Sequence, residues 1–362
     1  LKGLKIHSYV HPNNGLKVLL SPRPGSGAIS YVQAFDVGSR NEKKGRTGLA
    51  HLFEHMMFRG TESFPNPHKT MSKWGGRSNA YTSLDITLYY EQVPAPLTEK
   101  VIKFESERMQ KLFITPNVFK LEKGAVVSER KRGIEDNAWG RLNWELYQNH
   151  FDTHPYKTNP IGWQSDLDKS TYDDAIHFYK KHYAPNNAVI AVVGDFELKT
   201  MLGLLDKYYA PLKRSNLKKD QISRDRRKAK FRRRVYNVVT ENVIFADARD
   251  GLVFSDRRVP SEVLLCFLLT NSGTGYLYNE LVQKSKVQSI NAGCYPDKDP
   301  GMSSLYVSGM PGKSVKETEK TYLNALKAFP SWLKDSDIER AKLYFLSACL
   351  LYTSDAADES TC

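Results

Sequence analysis

Residues 48–61 read GLAHLFEHMMFRGT, and the spacing of their polar side chains sets how the rest of the chain is read. On a helix turning about 100° per residue, His55 lies about 40° from His51, and Glu54 about 60° away on the other side. Two imidazoles and one carboxylate therefore project within a single arc. Imidazoles at i and i+4 can chelate one zinc ion at about 2.0–2.1 Å, while a nearby carboxylate that is not a ligand can take a proton from water. The surrounding Leu49, Ala50, Leu52, Phe53, Met56 and Met57 are apolar or small, so the helix is expected to be buried on most sides. Polar residues in such a helix need a reason to be there. The plainer alternative is a histidine pair satisfied by core hydrogen bonds, or a purely structural zinc.

A catalytic zinc needs a third protein ligand and an open position. Thr115-Pro116 reads as an N-cap followed by proline at the first helical position, opening a helix that runs through Glu122 and Glu129 towards Asp136. Those two glutamates are seven residues apart, about 20° off a common face but separated by about 10.5 Å along the axis, so both cannot bind one ion. One ligates and the other supports; spacing alone leaves open which.

Working outward, Leu16–Leu20 and Ala28–Val37 are rich in β-branched and aromatic residues and bounded by turn signals, so they read as strands. A helix is expected from about Gly45 to Phe58, β structure over Asn79–Val93, and an amphipathic helix over Leu97–Phe113. Ala188–Gly194 (AVIAVVG) reads as a buried strand and Glu197–Tyr208 as a helix. Strands and helices then alternate again over Val235–Phe245, Ser261–Leu269, Gly275–Val282, Val287–Cys294, Ser303–Val307 and Val315–Phe329. The pattern is α+β, antiparallel sheets packed with helices in two similar domains. Boundaries are placed at 1–212 for a zinc-binding domain, 213–234 for a basic linker and 235–348 for a second, partial domain.

At 362 residues the chain suits two domains. Of the net charge of +13, twelve Lys or Arg and two Asp between Lys213 and Arg234 supply +10. That run lacks apolar periodicity and reads as a solvated connector, with polyanion binding as the rival; no nucleic-acid partner is expected. No stretch reaches the roughly 18 apolar residues of a membrane span. The chain starts at Leu1 without a leader, which fits a removed signal peptide or a fragment and leaves the compartment open between bacterial periplasm and cytoplasm. Cys266, Cys294, Cys349 and Cys362 show no framework spacing and are read as free thiols, Cys266 inside the apolar run VLLCFLL. His150 and His154 are four apart, but Pro155 takes His154 out of helical geometry, so no second metal site is expected there. The SGTG run Ser272–Gly275 lacks the lysine of a phosphate loop and reads as a loop-to-helix junction.

Five blocks in order carry a resemblance: TGLAHLFEHMMFRGT, GGRSNAYTSLDITLYYE, LEKGAVVSERKRGIEDN, THPYKTNPIGW and YAPNNAVIAVVGDFE. Together they resemble the signature segments of the pitrilysin/insulinase metallopeptidases, with HxxEH in the inverted order of the inverzincins. From Val235 onward the similarity rests on GTGYLYNELVQKSKVQSINAG. The resemblance implies one half of a clamshell peptidase that holds one Zn2+ through His51, His55 and Glu129. It makes Glu54 the general base and Glu122 a carboxylate that orients and assists the site. It also implies that the strand bearing Asn79, Ala80 and Thr82 lies beside the metal and pairs with extended, unstructured peptide substrates. The expected activity is endopeptidase hydrolysis by a metal-activated water; the alternative is a non-catalytic, peptidase-like assembly subunit.

Relatives place an Arg/Tyr pair on the other half, for which no counterpart stands in this sequence. The second half is therefore expected from a continued chain, a homodimer or a separate subunit. Finally, residues 349–362 read as a non-native tail, with Cys349–Glu359 similar to an in-frame translation of a sequencing adapter.

Overall fold

The computed structural model describes residues 5–217, 222–223, 225, 232–233, 235 and 240–354, with side chains described as far as Leu346. The chain falls into two compact units, Leu1–Gly133 with Phe151–Lys228, and Ile134–His150 with Ala229–Cys362. Most of the basic connector at 213–234 lies outside the described residues, as do residues 355–362 of the expected tail.

The first unit is built on six strands: β1 (His7–Val10), β2 (Lys17–Pro22), β3 (Ala28–Phe35), β4 (Arg77–Thr82), β5 (Thr87–Pro94) and β6 (Ala188–Gly194). Their order in the sheet is β1-β2-β6-β3-β5-β4. All neighbours are antiparallel except β2 and β6, which run parallel with Val18 opposite Ile190, so the sheet is mixed and not purely antiparallel as expected. The stretch read as β structure over Asn79–Val93 is a hairpin, with Tyr81 opposite Leu88, that turns where the Ser83 hydroxyl accepts from the Asp85 and Ile86 amides. Among the described residues, β4 is an edge strand.

Alternation along the strands sends one set of side chains to the core. In β3 these are Ile29, Tyr31, Gln33 and Phe35, and in β5 Thr87, Tyr89, Glu91 and Val93. The helices that follow in chain order are α1 (Leu49–Met57), α2 (Pro67–Lys73), α3 (Thr98–Gln110), α4 (Pro116–Arg130), α5 (Ala138–His150), α6 (Gln164–Lys169), α7 (Tyr172–His182) and α8 (Leu198–Tyr209). All belong to the first unit except α5, which is part of the second although it lies inside the span 1–212. Thr115 caps α4 as its sequence suggests, its hydroxyl accepting from the Val118 amide at 3.2 Å. α4 passes into a π-helical turn at Lys131–Glu135.

One feature of the core has no signal in hydrophobic periodicity. Arg108 of α3 is wholly buried, donating to Glu105 at 2.8 Å and Glu91 at 3.3 Å, with its guanidinium 4.8 Å from the centre of the Tyr89 ring. Gln33 adds a bond to Glu105 at 3.1 Å. Burial, with Glu105 beside it, pushes the Glu91 carboxyl well above the usual range.

The second unit contains α5, β7 (Ile244–Asp250), α9 (Val259–Thr270), β8 (Val287–Cys294), β9 (Met302–Gly309), α10 (Val315–Trp332) and α11 (Asp335–Ser354). Its strands are ordered β7-β9-β8, both pairs antiparallel. Of the strand expected at Val235–Phe245, residues 236–239 lie outside the described residues; the described strand is Ile244–Asp250, which pairs with β9, and the Tyr322 hydroxyl of α10 donates to Asp247. α5 is held by Asn143, which accepts from the Tyr306 hydroxyl at 2.7 Å.

The free-thiol reading is corrected for two cysteines: Cys266 of α9 and Cys294 of β8 form a disulfide, their Cα atoms 6.5 Å apart. Packing of α9 on β8 brings together residues 28 apart in sequence, which no local pattern reveals. The thiols of Cys349 and Cys362 lie outside the described side chains. α11 continues as helix to Ser354, into the stretch read as a tail. Among the described residues, no helix is long and apolar enough to cross a membrane.

Candidate functional site

α1 is seated by its apolar face. Ala50, Leu52, Phe53, Met56 and Met57 are essentially inaccessible, and Phe53 stacks on Tyr179 of α7 with ring centres 5.0 Å apart. Each large apolar side chain contributes about 1.5–3 kcal/mol on burial, so the helix is fixed by its core side while His51, Glu54 and His55 remain partly accessible. The helix begins at Leu49, four residues after the expected Gly45, because Gly48 adopts the left-handed conformation, φ +88°. No side chain at Gly48 can cap the helix. Glu42 does so from upstream, accepting from the Gly48 amide at 2.9 Å and the Ala50 amide at 2.7 Å.

α4 lies against α1 and brings in the two glutamates. Glu129 Oε2 is 3.3 Å from His55 Nε2, and its Oε1 is 3.7 Å from His51 Nε2. Glu122 sits behind the ring, its Oε2 3.4 Å from His55 Nδ1, and it also accepts from the Arg59 guanidinium. Exposure separates the two carboxylates: the Glu129 side chain is 45% exposed and that of Glu122 is 5%. Spacing allows two candidates for a third ligand; the geometry sets Glu129 beside both Nε2 atoms and Glu122 at the far nitrogen of one ring.

Among the described residues, His51, His55 and Glu129 form the one group of three donors able to share a metal ion, with donor atoms within 4.8 Å of one another. Ligands about 2.0–2.1 Å from a tetrahedral ion stand about 3.3 Å apart; the 3.3 Å between Glu129 Oε2 and His55 Nε2 matches that spacing, while the 3.7 Å to His51 Nε2 is measured from the other carboxylate oxygen. The two imidazoles differ in protonation. Burial pushes His51 down to about 4, which keeps its ring neutral, the form that ligates. Hydrogen bonding to Glu122 and Glu129 pushes His55 up to about 9, so two carboxylates make this a place that favours positive charge. The His55 contact holds Glu129 below the ordinary carboxylate range.

Glu54 projects from the same helix, outside the donor triangle. The Thr82 hydroxyl of β4 donates to its Oε2. Burial raises the Glu54 carboxyl, and the Thr82 bond opposes that rise. Of the residues expected to meet substrate, Thr82 therefore faces Glu54, while Asn79 is exposed and accepts from its neighbour's amide, that of Ala80, at 2.9 Å. Sequence reasoning missed Glu42 and Arg59. A lone arginine ending an apolar helix was a usable sign for the second; Glu42 gave none.

Two imidazoles and a carboxylate from neighbouring helices, with a further glutamate beside them, are the kind of donor set that metal-dependent hydrolases use. Residues 18–159 match the family described as Insulinase (Peptidase family M16), and residues 169–344 match Peptidase M16 inactive domain. The chain belongs to the M16 peptidase family.

Zinc protease PqqE of Helicobacter pylori is 32% identical over 210 residues, covering 57% of this chain and 47% of that protein. Insulin-degrading enzyme of Drosophila melanogaster is 30% identical over 215 residues, 57% of this chain and 22% of that one. The chain thus spans less than half the length of these relatives. The crystal structure of a protease from Helicobacter pylori superposes with a TM-score of 0.88 at 25% identity, over 96% of this chain and 85% of that one.

Proposed function

We propose that this chain is the metal-carrying half of a zinc-dependent endopeptidase acting on unstructured peptides. The observation that carries the reading is the convergence of His51, His55 and Glu129 beside a non-ligating Glu54. Similarity to zinc proteases supports the choice of metal.

His51 Nε2, His55 Nε2 and a Glu129 oxygen would hold the ion. Zinc, when bound, supplies Lewis acidity towards water and the scissile carbonyl. Thr82 fixes Glu54 Oε2, and the other carboxylate oxygen takes the proton of the attacking water and later hands it to the leaving amine. Glu122 orients the His55 ring through Nδ1; the bonds from His55 and then Arg59 outweigh burial and keep Glu122 ionised, and Arg59 holds it in place. The edge strand β4 offers backbone pairing to an extended peptide next to Glu54, a mode of binding that reads main chain before sequence. The complementary half comes from a continued chain, a second copy or another subunit.

The test is metal content together with hydrolysis of an unstructured peptide, with the complementary half supplied. Glu54→Gln should keep zinc and lose hydrolysis by at least about 100-fold, the usual scale of general-base catalysis. His51→Ala and Glu129→Ala should lose zinc. Undiminished hydrolysis by Glu54→Gln would overturn the assignment; a parent that holds zinc but never hydrolyses peptide would favour the assembly-subunit alternative.

A further inference from the structure

We infer that Arg130 is a positioning residue that ties the helix bearing Glu129 to the turn that starts the helix bearing His51. The inference rests on the proposal that these side chains hold one metal ion. Arg130 is the last residue of α4, next to Glu129, and is buried. Its Nε donates to the carbonyl of Gly162 at 3.1 Å.

Gly162 in turn lies directly on the start of α1. A Cβ at Gly162 would stand 2.5 Å from the Gly48 nitrogen and 2.6 Å from the Gly48 Cα. A Cβ at Gly48 would stand 2.9 Å from the Ile161 carbonyl oxygen. Both glycines have positive φ, +77° and +88°, so the two backbones touch in a way that side chains would forbid. The contact is pinned on either side: the Trp163 amide donates to the Thr47 hydroxyl at 2.9 Å, and that hydroxyl donates to Asp166 at 2.7 Å. The Gly48 carbonyl then accepts from the Leu52 amide, the first turn of the helix that carries His51.

A second tie closes the other end of the same helix pair, where Arg59, just past the end of α1, reaches Glu122 of α4. Each metal-bearing helix thus has one arginine at its C-terminal end, and the donor atoms lie between the two ties. Metal affinity depends steeply on donor placement, and loss of a supporting residue typically costs about 10- to 100-fold. Lysine cannot replace the Nε–H of a planar guanidinium.

Cobalt(II) alone is the probe, since its visible absorption reports coordination and needs no catalysis. Arg130→Lys and Arg130→Met should weaken cobalt binding about 10- to 100-fold and alter the absorption spectrum, with far-ultraviolet circular dichroism unchanged. Lys123→Met is the control: Lys123 ties α4 to the Asp168 and Ser170 carbonyls at 2.8 and 3.1 Å, away from the Gly162 contact, and should leave affinity and spectrum as in the parent. Parental cobalt binding in both Arg130 variants, or an equal loss in Lys123→Met, would overturn the inference. A parent chain that binds no cobalt would instead overturn the metal reading beneath it.

Discussion

Removing the Cys266–Cys294 link should loosen the second unit by an amount set by the length of chain it closes. The two cysteines are 28 residues apart. With the chain-entropy relation ΔS ≈ −2.1 − 1.5R ln n, a loop of that size loses about 12 cal/mol/K in the unfolded state, worth about 3.6 kcal/mol at 25 °C. All four cysteines lie beyond residue 250, so a reductant acts on the second unit alone. Urea unfolding of the whole chain, with and without reductant, should show one transition moving to lower urea and the other unmoved. Cys266→Ala with Cys294→Ala should reproduce the shift and remove its dependence on reductant. Thiol titration of the denatured, unreduced chain should find no more than two free groups. Four free thiols, or unfolding indifferent to reductant, would refute the reasoning.

Thr82→Val keeps volume and β-branching but removes the hydroxyl that Glu54 accepts from; a hydrogen bond to a charged group is worth about 1.5–3 kcal/mol, so kcat should fall about 10- to 100-fold with zinc content intact, whereas a rise in KM alone would assign Thr82 to substrate binding. Burial pushes Glu42 up to about 8 from 4.5, so the folded chain keeps a proton that the unfolded chain releases. Its contribution is full below pH 4.5 and is lost as pH rises through about 8; the first unit's urea midpoint should fall over that window, and Glu42→Gln should flatten the slope. A parent and variant with the same slope would exclude Glu42 as its source. Glu122→Gln should weaken metal binding about 10- to 100-fold without removing a ligand, measured by competition with a chelator.

Local patterns made much of the first unit legible. The apolar periodicity around His51 and the Thr115-Pro116 cap both act within a turn or two of chain, and the helices they signal are present. What stayed hidden depends on contacts that helix or strand periodicity does not reach. Glu42 caps a helix across a loop, Arg59 meets Glu122 some 63 residues on, and Cys266 finds Cys294 only once α9 lies on β8. Spacing alone left the choice between Glu122 and Glu129 open for the same reason, because seven residues of helix leave the face shared; the family resemblance, not the helix pattern, named Glu129 as the ligand. Arg108 was hidden for another reason: its helix has an ordinary amphipathic pattern, and the charge turns inward to meet Glu91 from the sheet.

The strand order has a bearing on how the protein is made. β1 and β2 can pair as soon as both leave the ribosome, as can β3, β4 and β5, but the two groups meet only across β6. At about 5–20 residues per second, synthesis of the chain between Pro94 and Ala188 takes on the order of 5 to 20 seconds, during which neither group has its missing neighbour. The nascent chain therefore carries two open sheet margins through that interval, and a chaperone that shields such margins would find its client there.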